Sequence, residues 1–226
     1  TRNHSNCRNL LISKTKNIIV GSIIENSDAI LVMGYNHMEY DKNIHKIISF
    51  GSCTVIPGVH IISWVKKNFK SEQCSVNIIH SVPKWQLDNG RWTTIERKTC
   101  SLEKVVPKII HTIKPEGIKV NYTYAPYYGA SLMDFEFTIA KKVTVTEFTD
   151  LLIKEINEGS FKGLVSLVGN DDGANNHINS HFSIDIIRSS IDIRNDRIYF
   201  FGYFNNDGSG IKLHEITKYI INENNN

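Results

Sequence analysis

Three short runs, KNIIVGS (16–22), AILVMG (29–34) and KIISF (46–50), constrain the fold more than any other feature of this chain. Each is rich in Ile and Val and bounded by Asn, Asp or Gly. Apolar runs of about four to eight residues between turn formers read as buried strands of a parallel sheet. The segment after them reads as a helix: in VIPGVHIISWVKKNF (55–69), Val59, Ile62 and Val65 fall on one face,. Lys66 and Lys67 sit in its last turn, where cations suit the helix dipole. Pro57 is tolerable because it lies in the first turn. Between strand and helix stands Cys53, flanked by Ser52 and Thr54. CSVNIIHSV (74–82) then reads as a further strand with His80 near its end.

The rest of the chain mixes both periodicities. KWQLDNGRWTTIERKT (84–99) is polar with a D-N-G turn signal and reads as a loop or hairpin,. SLEKVVPKIIHTIK (101–114) reads as a helix interrupted or kinked at Pro107. IKVNYTYAPYYGASLMDFEFTIAKK (118–142) gives two alternating strands broken at Pro126 and Gly129,. Thr144 and Glu147 have capping-box spacing, ahead of a helical stripe of Phe148, Leu151, Leu152 and Ile156 with Gly159 at its C-cap,. Strands come next in HFSIDIIRSS, IDIRN and RIYFFGYFN. An amphipathic helix, GIKLHEITKYIIN, closes the chain before a frayed NENNN tail. Strands first, then a strand-rich stretch with interspersed helices, predict an α+β fold. The expected units are 1–52 as a parallel-sheet remnant, 53–208 as an α+β domain with a mixed or antiparallel sheet and helices on one face, and 209–226 as a helix packing back on the remnant with a disordered tail.

Composition excludes several functions. The 226 residues allow a sizeable core, and 41% hydrophobic with 22% charged residues fits a globular protein,. A net charge of +3, scattered along the chain, is too small to imply nucleic acid,. Cys7, Cys53, Cys74 and Cys100 form no CxxC pair and have no zinc-ligand spacing with the histidines, so no metal is expected,. No signal-peptide pattern opens the chain, and no apolar run approaches the roughly 18 residues of a membrane span. These features predict a cytoplasmic protein, or a nuclear one, with reduced thiols. His37 and His45 lack a third ligand and read as framework residues. NDDGANNH (170–177) lacks the spaced carboxylates of a calcium loop and reads as a plain polar loop,. KWQLDNGRW joins two tryptophans with Lys84 and Arg91, a set that can stack on a partner but more often packs over a core.

SDAILVMGYNHMEYD (27–41), then SCT before a helix, then NIIHS, resembles the glyceraldehyde-3-phosphate dehydrogenase family. Cys53 and His80 are separated by the family's interval of 27 residues. The resemblance resumes at LEKVVPKIIHTI, YAPYYGASLMDF, FSIDIIRSSIDIRNDRIYFFGYFNN and the closing helix. It implies the family's catalytic domain joined to the last strands of its nucleotide domain. It also implies Cys53 as the nucleophile attacking an aldehyde and His80 as the base. A helix N-terminus and an imidazolium beside Cys53 would lower the thiol pKa. Ser52 and Thr54 match the hydroxyls flanking the cysteine as substrate contacts. Asn205 resembles the nicotinamide-amide contact, and Asp207 stands where a tyrosine is usual.

The departures from the family pattern are as informative. No GxGxxG occurs anywhere, so the dinucleotide fingerprint is absent from these residues,. Ile56 and Pro57 replace an Asn and a second Cys. Pro83 and Trp85 replace two threonines, and only Gln86 is kept. Cys100 and Ser101 replace a phosphate-binding Thr-Gly, and Tyr124 replaces the arginine that would grip the substrate phosphate. The segment between His80 and Lys104 is shorter than the family's. The expectation is therefore a divergent homologue that is a pseudoenzyme, needs no cofactor, and serves as a binding or structural component of a larger, oligomeric assembly. Its expected partner is another protein chain, or a second copy, covering the apolar strands at 16–50. Neither a membrane nor nucleic acid is expected. The alternative is an active NAD-dependent phosphorylating aldehyde dehydrogenase using Cys53 and His80, with the nucleotide half supplied from elsewhere.

Overall fold

A computed structural model describes residues 4–11, 14–24, 26–205 and 208–225. It opens with a small parallel sheet of β1 (Ile18–Val20), β2 (Ala29–Ile30) and β3 (Ile47–Ser49), ordered β1-β3-β2. The next elements are helix α1 (Val55–Phe69), β4 (Gln73–His80), the short helix α2 (Lys84–Asp88), β5 (Glu96–Lys98), α3 (Ser101–Ile109), β6 (Ile118–Tyr124) and β7 (Ser131–Thr138). After these come α4 (Val145–Glu158), β8 (Val165–Val168), β9 (Ile184–Ile187), β10 (Asp192–Arg194), β11 (Arg197–Phe204) and α5 (Gly208–Asn225). The second sheet runs β5-β6-β4-β7-β11-β9-β8, with β10 beside β11. Only β4–β6 and β8–β9 are parallel within it, so it is the mixed sheet of an α+β protein.

Alternation sets the faces of this sheet. Val76, Val120, Phe135 and Phe200 lie on one face in register with one another, and all are buried. Their diagonal neighbours Asn77, Asn121 and Asp134 point the other way, toward water. The inner face carries an aromatic cluster: Phe148 of α4 lies 5.6 Å from Phe200 and 5.4 Å from Trp64 of α1, ring to ring. Each such fully buried ring contributes on the order of 1.5–3 kcal/mol through its area alone. The Thr144–Glu147 capping box forms in full and fixes the start of α4.

Helix α1 is where the expected single apolar face gives way. It is buried nearly all round, including Ile56, Gly58, His60 and Ile61, because one core spans both sheets and closes around it. That core joins Leu31, Val32 and Ile48 to α1, the large sheet, and Ile216 and Ile220 of α5, so it is continuous across residues 52 and 53. At Gly58 a Cβ would stand 2.6 Å from Leu102, so the glycine permits α1 and α3 to touch.

Several other expectations are corrected. Only β3 of the three opening strands is fully buried, and β1 and β2 are half-buried. The expected loop or hairpin at 84–99 contains α2 and then β5, which pairs antiparallel with β6 rather than within the segment. Helix α3 keeps Pro107 inside it but stops at Ile109, well short of Lys114. Leu151 faces solvent while Thr149 is buried in its place. In HFSIDIIRSS only Ile184–Ile187 is strand, and it is followed by a 3-10 turn. Nor is the tail frayed. Helix α5 reaches Asn225, and Asn224 accepts a hydrogen bond from the Tyr40 hydroxyl at 2.9 Å and donates one to Asn17 at 2.7 Å. The 170–177 segment is no plain polar loop either. His177 is buried, with Nδ1 2.8 Å from Asp185 and Nε2 3.0 Å from Asp172.

Candidate functional site

The lengths of α1 and β4 bring the two candidate residues together. Fifteen helical residues span about 22 Å, and eight strand residues span about 26 Å in return, so the end of β4 comes back to the start of α1,. Between β3 and α1 the chain turns at Gly51, whose φ of +108° a side chain rarely adopts,. The Ser52 hydroxyl then accepts from the Val55 amide at 3.3 Å, and the Ser52 carbonyl accepts from the Ile56 amide at 3.0 Å. Cys53 is thereby placed at the mouth of the helix.

Its Sγ lies 3.4 Å from Nε2 of His80. The other ring nitrogen, Nδ1, is 2.6 Å from the Ser81 carbonyl. A carbonyl only accepts, so Nδ1 carries the proton and Nε2 is left to accept the Cys53 thiol hydrogen. Around the imidazole stand Tyr124 at 4.9 Å, Tyr122 at 5.5 Å and Phe204 at 5.9 Å, ring to ring. These rings shield one side of the imidazole, while Cys53 stays half-buried. Desolvation pushes the Cys53 thiol up to about 12, and it outweighs the backbone amides of Cys53 and Thr54 that favour the thiolate,. Burial likewise lowers the His80 pKa against the smaller raising effect of the Ser81 carbonyl. Burial thus opposes the expected activation of the thiol, and both shifts favour the uncharged forms of Cys53 and His80,.

Ser52 and Thr54 face each other at 3.2 Å, and Ser52 also meets Ser101 at 3.2 Å, at the first residue of α3. Cys100 donates to the Thr54 hydroxyl at 3.6 Å. The N-termini of α1 and α3 thus converge on one cleft of about 710 Å³, which Cys53 and His80 also line. Converging amide ends and hydroxyls favour an anion. Two cations line the same cleft: Arg91, which the sequence offered only as part of a set able to stack on a partner, and Lys98, which sequence reading missed. Lys98 is ion-paired to Glu96 and lies 5.2 Å over the ring of Trp92, which stacks on Tyr124 at 5.1 Å. The density of Lys and Arg between 84 and 98 was the available signal, but a polar segment does not announce which way it folds.

Asn205 lies apart from that cleft. Its amide donates to the Ile178 carbonyl, and it lines a second cavity of about 520 Å³ that includes Trp85 and Tyr128. Between Asn205 and Cys53, bounded by Ile56 and Pro57, the free space is about 10 Å³. That is about the room of a single water. Asp207 lies outside the described residues. No group of three His, Cys, Asp or Glu among the described residues is placed to hold a metal ion. His37 accepts from the Gly34 amide at 3.2 Å, and His45 from the Asp41 amide at 3.0 Å. No described helix is long and apolar enough to cross a membrane.

A thiol and an imidazole in contact where a parallel-sheet fragment meets a mixed, helix-backed sheet define an α+β protein with a cysteine–histidine pair at the junction of two sheets. The chain is a distant relative of the glyceraldehyde-3-phosphate dehydrogenases. It is 28% identical over 163 residues to glyceraldehyde-3-phosphate dehydrogenase 2 of Nostoc sp., covering 66% of this chain and 47% of that protein. It is 25% identical over 160 residues to glyceraldehyde-3-phosphate dehydrogenase 1 of Bacillus cereus, covering 66% and 48%. To the Priestia megaterium enzyme it is 25% identical over 220 residues, covering 91% of this chain and 64% of that protein. The chain thus spans about half the length of the first two relatives and more of the third. No family profile matches it.

Proposed function

We propose that this chain is a pseudoenzyme of the glyceraldehyde-3-phosphate dehydrogenase kind, which binds a small anion in the cleft and serves as a binding or structural component of a larger assembly. The observation that carries the reading is geometric: Tyr122, Tyr124 and Phe204 pack their rings around His80, with Tyr124 at the position where the resemblance expects a phosphate-binding arginine. Cys53 touches His80 at 3.4 Å, and burial pushes its pKa up to about 12, which supports a thiol that stays protonated near neutrality,. The narrow space beside Asn205 supports the absence of an NAD-dependent step. Tyr124, at the position where the resemblance expects an arginine, supports an altered ligand preference.

Anion binding remains in this reading. Ser52, Thr54, Ser101 and Arg91 give the cleft hydroxyls, helix termini and a guanidinium. The assembly role draws on the opening segment, where β1 and β2 are half-buried and Met38 and Ile44 are 76% and 63% exposed. A second chain or second copy meets that surface. Sedimentation as a monodisperse monomer, with no shift on mixing with candidate partners, would count against this part.

A second reading, an active NAD-dependent aldehyde dehydrogenase, is favoured by one observation, the intact contact between Cys53 and His80. Calorimetric titration with NAD alongside alkylation of Cys53 as a function of pH separates the two. The pseudoenzyme reading expects no NAD heat and slow alkylation that accelerates only in alkali. NAD binding together with a thiol titrating below about 8.5, the unperturbed value, would sink it.

A further inference from the structure

We propose that a concavity distinct from the cleft binds a compact, multiply charged phosphate anion through Lys16, Lys42 and Lys46. The concavity measures about 460 Å³, is also lined by Thr15, Asn43 and Asn224, and shares no lining residue with the cleft. No acidic side chain lines it among the described residues.

The neighbouring carboxylates are engaged elsewhere. Asp28 accepts from Arg8 at 2.6 Å and from the amides of Lys46 and Ile47 at 3.0 and 2.8 Å. Asp41 accepts from the Asn43 amide at 2.8 Å. None of the three lysines belongs to an ion pair among the described residues. Three ammonium groups therefore share one depression without an ion-paired carboxylate among the described residues.

The depression is also fixed in shape. Its cations come from the lead into β1 and from the turn after Tyr40, and the end of α5 closes it. Hydrogen bonds tie these three segments together: Tyr40 to Asn224 at 2.9 Å, Asn224 to Asn17 at 2.7 Å, and Asn17 to the His45 carbonyl at 2.8 Å. Lys46 is held in turn by the Lys42 carbonyl at 2.5 Å. A site already shaped loses little ordering entropy when a ligand arrives. Ammonium groups act as point charges toward phosphate oxygens, and three of them suit a ligand with about three negative charges. The volume falls in the range of small-molecule sites, about 300–1,000 Å³.

The test is calorimetric titration of the whole chain with inorganic triphosphate at physiological salt. Saturable binding is expected, weakened about tenfold or more in the Lys42→Gln/Lys46→Gln double variant. Lys154→Gln, an exposed lysine of α4 that lines neither cavity, should leave it within about twofold,. Lys16 is exposed, so Lys16→Gln keeps the test valid if the double variant folds poorly, and it should weaken binding on its own. Absence of saturable binding at millimolar triphosphate would overturn the proposal, as would unchanged affinity in the lysine variants. Loss of binding in Arg91→Gln alone would assign the anion to the cleft instead. Tighter binding of an oligonucleotide or of polyglutamate, abolished by the same lysine variants, would also overturn the assignment to a compact ligand.

Discussion

Whether Cys53 and His80 form an ion pair is a contest between two magnitudes. Moving the proton from the thiol to the imidazole spans a gap from about 12 to below the ordinary imidazole value of about 6.5,. At about 1.4 kcal/mol per unit, the transfer costs at least about 7 kcal/mol. The attraction of the resulting charges at 3.4 Å returns about 5 kcal/mol at an effective dielectric constant near 20,. Desolvation wins by at least about 2 kcal/mol, which holds the ion pair to a few per cent or less,. The perturbation that reads this balance is His80→Gln, followed by thiolate ultraviolet absorbance from about pH 5 to 10 in a Cys7→Ser background. Expected is no thiolate band below about pH 9 in either protein, and a flat difference between them. A plateau of thiolate absorbance near neutrality that disappears in His80→Gln would show a charged pair and refute the reasoning.

Three further outcomes rest on the geometry. The thiols of Cys53, Cys74 and Cys100 are all raised by burial, so below about pH 8.5 folded and unfolded chains alike hold these protons; above it the unfolded chain releases protons that the fold retains, and stability falls as pH rises,. Cys53 alone should cost about 2 kcal/mol between pH 7 and 10, read as a falling urea midpoint whose slope is shallower in Cys53→Ala. Gly202→Ala in β11 should destabilise by about 1–3 kcal/mol or more, because the new Cβ would stand 2.7 Å from the Asp185 carbonyl oxygen, in backbone that cannot step aside,; a midpoint within error of the parent would contradict the close approach. Thr144→Ala removes the hydroxyl half of the capping box, leaving the Glu147 carboxylate to accept from the residue-144 amide, and should cost about 1 kcal/mol with no change in the cleft, measured by thermal melting,.

What the sequence disclosed tracks how locally each feature is determined. Alternation in 118–138 marked β6 and β7 because one face of each meets the core and the other meets water. Thr144 and Glu147 announced a helix start because a capping box is made within four residues. Helix α1 misled because its spacing resembles a one-sided stripe, while its burial comes from a small sheet contributed by residues 18–49. VSLV at 165–168 escaped notice because it is short and mostly half-buried, so neither a continuous run nor a clean alternation marks it. In the site, the interval between Cys53 and His80 was legible only through family resemblance. Its physical basis, a helix and a strand of matched length, needs the elements' boundaries first. Arg91 and Lys98 were visible as charges, but their position over the cleft depends on where 84–98 folds.

The site's electrostatics lay furthest from the sequence, and Tyr124 shows why. In β6 it lies beside Glu96 of β5 and His80 of β4, so its ring meets the imidazole at 4.9 Å and Trp92 at 5.1 Å. A guanidinium at that position would bring a fixed positive charge close to the dyad. It would favour the thiolate by attraction and compete with a second positive charge on the imidazole. A phenol stacked under an indole does the opposite: it excludes water and supplies no charge. The same substitution therefore removes the expected phosphate contact and deepens the desolvation that holds Cys53 protonated. One residue type thus bears on both the ligand preference and the reactivity of the thiol, and the spacing from Cys53 to His80, unchanged by it, records neither.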